Sequence, residues 1–145
     1  MNTMIVDAIE EKFGKLARTT GNKHTFLGMD VEMISRGKIA VSTPQHVDKA
    51  IEGLGEEVNG TAVNPARSKL FYIDTKSPKL TGDKKELFYS VTAKVLWISQ
   101  RSRPDLDTAV SFLCTRVKEP TQEDWKKLCR VICFLKATKN NKRII

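Results

Sequence analysis

Hydrophobic residues near the start of the chain follow two different periods. Over residues 5–17 they recur at helical spacing with charged residues between them, which predicts an amphipathic helix. Over residues 25–34 they alternate along the chain, so that Leu27, Met29 and Val31 share one face of a half-buried strand. Helices must cover this apolar face, because an isolated pair of strands is only marginally stable.

A turn containing Gly37 joins this strand to a second alternating run over residues 38–42. A short loop with glycine between two alternating runs predicts a β-hairpin. The next helix is predicted to begin at Thr43 and Pro44, since threonine is a favoured N-cap and proline fits the first helical position. Gly53 marks the end of that helix.

Residues 55–82 show no clear periodicity and contain several glycines and prolines. We interpret them as a long connection with one extended piece over residues 70–73. Connections of this length are uncommon inside a compact domain. The segment therefore either separates two subdomains or is partly disordered.

Three helical segments are predicted after the connection. The first covers residues 84–101 and begins with Asp83 and Glu86 at the spacing of a capping box. The second begins at Pro104, because the residue before a proline avoids the helical conformation. The third begins near Thr121 as a second capping box with Asp124, and its basic tail, residues 136–143, favours a helix C-terminus electrostatically.

These elements together predict an α+β fold, with an N-terminal helix and β-hairpin followed by a mostly helical region. Three parts are expected along the chain. Residues 1–54 hold the hairpin and its flanking helices, residues 55–82 form the connection, and residues 83–145 form the helical region.

The positive charge of the chain is concentrated in its C-terminal part. The net charge is +8, while residues 1–83 carry 11 basic and 11 acidic side chains and residues 84–145 carry 14 and 6. This asymmetry favours a polyanionic partner, nucleic acid first and an anionic membrane second. A basic surface that is merely solvated is the alternative.

The histidines and cysteines give little sign of a metal centre. The three cysteines form no Cys-x-x-Cys pair, which argues against a disulfide framework or a zinc ribbon. Cys129 and Cys133 lie one helical turn apart, a spacing that suits a metal ligand pair, but two small apolar residues on a buried helix face explain them as well. His24 and His46 are expected to be structural or solvated.

No feature of the sequence directs the chain to a membrane or to secretion. Its apolar runs are shorter than the roughly 18–20 residues that span a bilayer. The first residues show no basic segment followed by an apolar one, as a secretory signal would. We therefore expect a cytoplasmic or nuclear protein.

Three residues spaced by four on the first C-terminal helix form a candidate binding stripe. Tyr89, Ala93 and Trp97 lie on one side of that helix. The small residue between two aromatic residues leaves a shallow groove for a sugar–phosphate edge. The basic side chains that could reach phosphates from this region are those of Lys94, Arg101 and Arg103.

Ordinary structural roles are the alternative for the same residues. The two aromatic residues of the stripe would then be core residues, since large aromatic side chains are usually well buried. Arg101 and Arg103 would form surface salt bridges with Asp105 or Asp107.

Two segments resemble the reverse transcriptase of copia-type LTR retrotransposons, in the region downstream of its Asp-Asp motif. The first is FLGMDVE at residues 26–32 with the return strand at 37–44, and the second is LWISQRSRPDL at residues 96–106 followed by Ala109 and Val110. The segment LKAT at the end of the last helix adds to the likeness. Their order and spacing along nearly the whole chain make the resemblance.

The resemblance implies roles for particular residues. In retroviral relatives a hairpin after the palm, the primer grip, holds the 3′ end of the primer, and Met29 and Asp30 match its working positions. A thumb helix there lies against the minor groove of the template–primer duplex. By similarity that helix carries Tyr89, Ala93 and Trp97, with Lys94 and Gln100 nearby.

The carboxylates for nucleotidyl transfer are not found in this sequence. Transfer needs acidic side chains that hold two divalent metal ions, and the resemblance places those acids upstream of this chain. No Asp-Asp pair occurs, and Asp105 and Asp107 point to different sides of a helical turn. We expect no cofactor for the fragment, and Mg²⁺ only for the full-length polymerase.

The sequence thus leads to two functional hypotheses, and it leaves open whether the chain counts as an enzyme. The first is a C-terminal fragment of a retrotransposon reverse transcriptase that positions template–primer nucleic acid and is catalytically silent alone. Its partners would be RNA–DNA or DNA template–primer and the rest of the polyprotein, with its palm and RNase H domains, and no membrane. The second is a transposon-derived remnant that acts as a protein–protein interaction module. A small metalloenzyme has no supporting set of residues.

Overall fold

The structure is a computed structural model that describes residues 3–145, and it confirms an α+β fold. The strands β1 (Lys23–Phe26), β2 (Met29–Ser35), β3 (Lys38–Ser42) and β4 (Arg143–Ile144) form an antiparallel sheet in the order β1-β2-β3-β4. The helices are α1 (Thr3–Phe13), α2 (Pro44–Glu52), α3 (Gly82–Arg101), α4 (Asp107–Arg116) and α5 (Gln122–Ala137). A 3-10 turn at Pro104–Leu106 directly precedes α4.

The single strand predicted over residues 25–34 is wrong, because the chain reverses at Leu27 and Gly28. Both residues have positive φ, +50° and +76°, as a two-residue hairpin connection of type I′ requires. Phe26 therefore pairs with Met29 across the turn. Leucine rarely adopts positive φ, so the sequence carries no turn signal here, and the alternation runs unbroken through the reversal.

Of the hairpin predicted between residues 25–34 and 38–42, the part that β2 and β3 form is confirmed. Strands β2 and β3 pair from Asp30 with Ser42 to Ser35 with Lys38, and the register shifts between Met33 and Ser35. Gly37 has a φ of +79° in the connecting turn. Because β1 and β4 flank this pair, the sheet has four strands where the sequence predicted two.

The basic tail runs past the end of the last helix and returns to the sheet. Helix α5 ends at Ala137, and Arg143 then pairs with Val41 in β4. Ile39 and Ile145 exchange two backbone hydrogen bonds of 2.8 Å each. A long-range pairing of this kind leaves no local trace beyond the two isoleucines at the end, whose branched side chains suit a strand.

Helices α2 to α5 share one hydrophobic core. Val47 and Ala50 of α2 lie in the same buried cluster as Val95 of α3 and Leu128 of α5. Helix α2 therefore joins the C-terminal helices in packing, although it precedes the connection. The division into residues 1–54, 55–82 and 83–145 stays a prediction.

The connection is bound to the helices without forming a strand over residues 70–73, where an extended piece was predicted. This segment turns, with Leu70 buried and the ring of Phe71 edge-on to Phe112 at 5.8 Å between centroids. Side-chain anchoring to the core replaces backbone pairing there. Near its end Lys79 forms an isolated bridge with Thr121.

The two predicted capping boxes have opposite outcomes. At α5 the backbone N–H of Thr121 donates to Asp124 Oδ2 at 2.9 Å, and the reciprocal bond is present, so that box is confirmed. At α3 the box of Asp83 and Glu86 is wrong, because extended Thr81 takes the N-cap position and the helix begins earlier. Which residue caps this helix therefore depends on where the backbone leaves the extended conformation, and the spacing of Asp83 and Glu86 alone does not decide it.

Much of the N-terminal apolar surface is uncovered. No residue of α1 is buried, and Phe13 is 71% exposed. Leu27, in the turn, is 73% exposed, so it does not join Met29 and Val31 on a covered face as predicted. The uncovered large apolar side chains of the sheet include those of Phe26, Met33, Ile34 and Ile39.

Candidate nucleic-acid interface

Helix α3 has one face in the core and one in solvent. Its inward side includes Phe88, Val91 and Ile98, all fully buried. Tyr89 is 62% exposed, so the alternative that it is a core residue is wrong. The predicted site residues that lie on the exposed side of α3 are Tyr89, Ala93, Lys94, Gln100 and Arg101.

Trp97 occupies the border between these two faces. It is half-buried, and its indole stacks on the imidazole of His46 with ring centroids 4.1 Å apart and planes inclined by 37°. The guanidinium carbon of Arg101, one helical turn later, lies 5.8 Å from the same indole. This distance allows a cation–π contact, so two neighbours restrict the orientation of the indole.

The β1–β2 turn reaches this stripe through His46. A Cβ atom placed on Gly28 would overlap the Nε2 atom of that imidazole, so glycine permits the close approach. The positive φ of Gly28 also favours glycine at this position. The sheet, α2 and α3 are thereby connected through Gly28, His46 and Trp97.

The other end of the stripe has a basic border. Tyr89, Lys85 and Glu86 line an open depression together with Gly82 and Val117. Lys85 precedes Tyr89 by one helical turn, as Tyr89 precedes Ala93. The row that runs Lys85, Tyr89, Ala93, Trp97, Arg101 therefore carries a cation at each end.

Lys94 lies where α3 passes the C-terminal end of α2. Its amino group sits close to Gly53, the C-cap residue of α2. A positive charge is favourable beside the carbonyl groups that end a helix. The side chain remains exposed to solvent.

Arg103 forms a salt bridge, which is the structural role that the sequence left open for it, and it is not placed to contact a phosphate. It is only 3% exposed, and its Nη2 atom lies 2.7 Å from Asp105 Oδ2. The guanidinium also donates to the carbonyl oxygen and the hydroxyl of Thr138, at 2.9 and 2.7 Å. A buried guanidinium with these partners has no free donor facing solvent, so Arg103 joins the end of α5 to the start of α4.

Met29 and Asp30 lie on successive positions of β2, and their side chains therefore point to opposite faces of the sheet. Asp30 accepts a hydrogen bond of 3.1 Å from the hydroxyl of Thr25 and lines a cleft that also contains Lys139 and Lys142. The contacts that connect the sheet with α3 pass through Gly28 and His46. Asp30 thus lines a cleft to which no residue of the α3 stripe contributes.

Sequence reasoning missed two residues of this surface. His46 is the support of Trp97, and Lys85 extends the stripe. Lys85 could have been found, since it continues the spacing of four toward the helix start. His46 left no signal, because its role depends on how α2 and α3 pack.

Cys129 and Cys133 are half-buried, as expected for small apolar residues on a helix face. Burial and, secondarily, the carboxylate of Glu56 raise the pKa of the Cys129 thiol to about 11. Its sulfur lies 3.9 Å from Glu56 Oε1, which also accepts a bond of 2.6 Å from the indole of Trp125. Over residues 3–145, no three His, Cys, Asp or Glu side chains are placed to hold a metal ion.

Within the described part of the chain, no helix combines the length and the apolar character that crossing a bilayer requires.

One relative links the chain to transposons. A protein of Saccharomyces cerevisiae named for transposon Ty5-1 is 24% identical over 140 residues, which cover 94% of this chain and 44% of that protein. The chain thus spans less than half the length of the relative it matches. No family model matches the sequence, and no solved structure matches the fold. The chain is therefore similar to a transposon-encoded protein.

Proposed function

We propose that the chain is the primer-grip and thumb portion of a copia-type retrotransposon reverse transcriptase, and that it binds template–primer nucleic acid. The observation that carries this proposal is a row on α3 that runs from Lys85 through Tyr89, Ala93 and Trp97 to Arg101, in which every residue but the half-buried Trp97 is exposed. The similarity to a transposon Ty5-1 protein supports the origin of the sequence.

The row suits the edge of a nucleic-acid duplex. Ala93 leaves a shallow place between the rings of Tyr89 and Trp97, where a sugar can approach the helix closely. Cations at both ends, Lys85 and Arg101, can reach phosphates on either side. Contacts of this type hold the backbone without reading bases, as a polymerase requires when it moves along any sequence.

The charge distribution favours the same partner. The excess of positive charge lies in residues 84–145, which contain α3. Association of a cationic surface with nucleic acid is driven largely by the release of counterions. Binding should therefore weaken steeply as salt is added.

The chain is proposed to be catalytically silent alone. Of its two neighbouring acids, Asp105 is paired with Arg103, and Asp107 lies at the start of α4. Nucleotidyl transfer would depend on Mg²⁺ held by carboxylates elsewhere in a full-length polymerase. Incorporation of nucleotides by the purified chain would contradict this part of the proposal.

The direct test is fluorescence anisotropy of a labelled RNA–DNA primer–template with the 145-residue chain, at low and at moderate salt. We expect a Kd that rises steeply with salt. The variant Trp97→Ala/Arg101→Ala should weaken binding by about tenfold or more, since the loss of a charge-assisted contact to phosphate costs about 1.5–3 kcal/mol.

A stringent control removes two positive charges elsewhere, one more than the test variant removes. Lys15→Ala/Lys38→Ala changes exposed residues of the N-terminal part and should leave the Kd within about threefold, because distant exposed charges are largely screened. Equal losses in the two double variants would mean that α3 has no special part in binding. No binding at low salt would reject the proposed function.

A protein–protein interaction module is the second candidate, and one observation favours it. Many apolar side chains of α1 and of the sheet are uncovered, among them those of Phe13 and Phe26. Such surfaces usually mark contact with another protein. Self-association that persists at high salt, without duplex binding in the anisotropy experiment, would favour this function over the first.

A further inference from the structure

A basic cleft lies between the connection and α5, and no residue of α3 lines it. One wall is formed by residues 65–74 and the other by the part of α5 from Glu123 to Arg130. Its volume of about 520 Å³ is in the range of small-molecule sites. The cleft is therefore large enough for one nucleotide unit.

The wall formed by the connection is held in place by several contacts. Leu70 is buried in the core, and the amino group of Lys127 donates a bond of 2.6 Å to the carbonyl oxygen of Tyr72. Farther along, the backbone N–H of Glu123 donates to the hydroxyl of Ser77 at 3.1 Å. These contacts hold the wall of the cleft in place, which lowers the entropic cost of binding a ligand there.

The lining is strongly cationic. It contains five basic and two acidic side chains. Lys126 forms an ion pair of 2.5 Å with Glu123. Lys127 donates a hydrogen bond to the connection, and burial lowers the pKa of its amino group. Arg67 and Lys69 are exposed and form no ion pair with any residue between 3 and 145. They leave a local excess of positive charge beside the cleft.

Arg130 adds a guanidinium group to the lining of the cleft. Its Nη2 atom donates to Asn64 Oδ1 at 2.7 Å, but its buried Nε atom has no hydrogen-bond partner within residues 3–145. Phosphate matches the planar donors of arginine, so the guanidinium group that lines the cleft is a suitable partner for it.

The remaining lining suits a base. The exposed ring of Tyr72 lies on the same wall as the apolar residues Pro65 and Ala66. Aromatic side chains bind bases by stacking, largely independently of sequence. Phosphate-binding cations and an aromatic ring in one cleft are the combination that a nucleotide requires.

We infer that this cleft binds a phosphate-bearing nucleotide unit, with Arg67, Lys69 and Arg130 at the phosphate and Tyr72 at the base. The unit could come from a free nucleotide or from a single-stranded segment of nucleic acid, since both present the same chemistry. This inference goes beyond the proposed function, because none of its residues belongs to the α3 row.

The test uses the full chain and two probes, labelled oligo(dT) of ten residues and unlabelled dTMP. Arg67→Ala/Lys69→Ala removes two exposed side chains and should raise the Kd for the oligonucleotide by about tenfold, as loss of charge-assisted bonds implies. Lys15→Ala/Lys38→Ala, with the same change in net charge, should alter it by less than about threefold. Equal effects of the two double variants would overturn the inference.

Amide chemical shifts locate the binding independently of any variant. Addition of the oligonucleotide should move resonances of residues 65–74 and of Glu123 to Arg130. Shifts confined to α3 would overturn the inference while supporting the proposed function. Competition by millimolar dTMP would assign the site to free nucleotides as well, and binding without such competition would assign it to a strand. Loss of duplex binding in Trp97→Ala/Arg101→Ala, with oligonucleotide binding retained, would separate the two sites.

Discussion

The imidazole of His46 on α2 stacks against the indole of Trp97 on α3, with centroids 4.1 Å apart. The contact joins the helix that follows the sheet to the helix that carries the candidate binding row. Gly28, from the β1–β2 turn, closes against the same imidazole. The orientation of Trp97 therefore depends on residues far from it in sequence.

Removing the imidazole should loosen Trp97 without touching the binding row itself. For His46→Ala we expect duplex affinity to fall about threefold to tenfold, since the indole must then be ordered on binding. His46→Phe retains an aromatic ring and should keep most of the affinity. The measurement is the anisotropy titration, with near-ultraviolet circular dichroism to report on the tryptophan environment. Equal affinity in the wild type and in His46→Ala would show that the stack has no part in binding.

Two glycines with nearly the same φ allow the cost of backbone strain to be separated from the cost of a steric clash. Gly28→Ala and Gly37→Ala both place a side chain at positive φ, +76° and +79°, which should cost about 1–2 kcal/mol each. At Gly28 the new methyl group also collides with His46, whereas nothing lies near Gly37. We expect urea denaturation to show a larger loss of unfolding free energy for Gly28→Ala. Equal losses would mean that the turn moves away from α2 at little cost.

The buried guanidinium of Arg103 makes its acidic partner important for stability. Asp105→Asn leaves that charge without its carboxylate, and we expect a loss of about 2–3 kcal/mol in unfolding free energy. Asp107→Asn is the matched control, because Asp107 is exposed and has no ion pair along residues 3–145. It should change stability by less than about 0.5 kcal/mol. A smaller loss for Asp105→Asn than for the control would contradict the role given to Arg103.

The thiol of Cys129 should contribute a pH dependence at alkaline pH. Its pKa is about 11 in the folded chain, against an ordinary value of 9.0, because burial and then Glu56 disfavour the thiolate. A group whose pKa is raised by folding stabilises the fold fully below pH 9, and this contribution is lost as the pH rises toward 11. We expect the unfolding free energy of the wild type to fall more steeply over this interval than that of Cys129→Ala. Parallel curves would show that the thiol titrates normally.

Some of the fold could be predicted because its signals are local. The capping box of Thr121 and Asp124 depends on residues three apart, and the break before Pro104 follows from the proline itself. The β2–β3 hairpin follows from a glycine between two alternating runs. The spacing of four that placed Tyr89 and Ala93 on one side of α3 is equally local.

Other features escaped because their signals were ambiguous or distant. Alternation continues through Leu27 and Gly28, so the chain reversal there looked like one strand. Arg103 could reach either a ligand or an acid by sequence alone, and burial against α5 selected the acid. The basic tail suited a helix end, yet the free edge of β3 gave Arg143 a pairing partner.

The sequence by itself determined the periods, the break before Pro104, the helix start at Thr121 and the concentration of positive charge in residues 84–145. Each of these depends on residues that are close along the chain. Only the tertiary structure decided the stack of His46 on Trp97, the burial of Arg103 and the cleft beside α5. These depend on which surfaces meet, and that choice comes from burying apolar area across the whole chain, which no local pattern encodes.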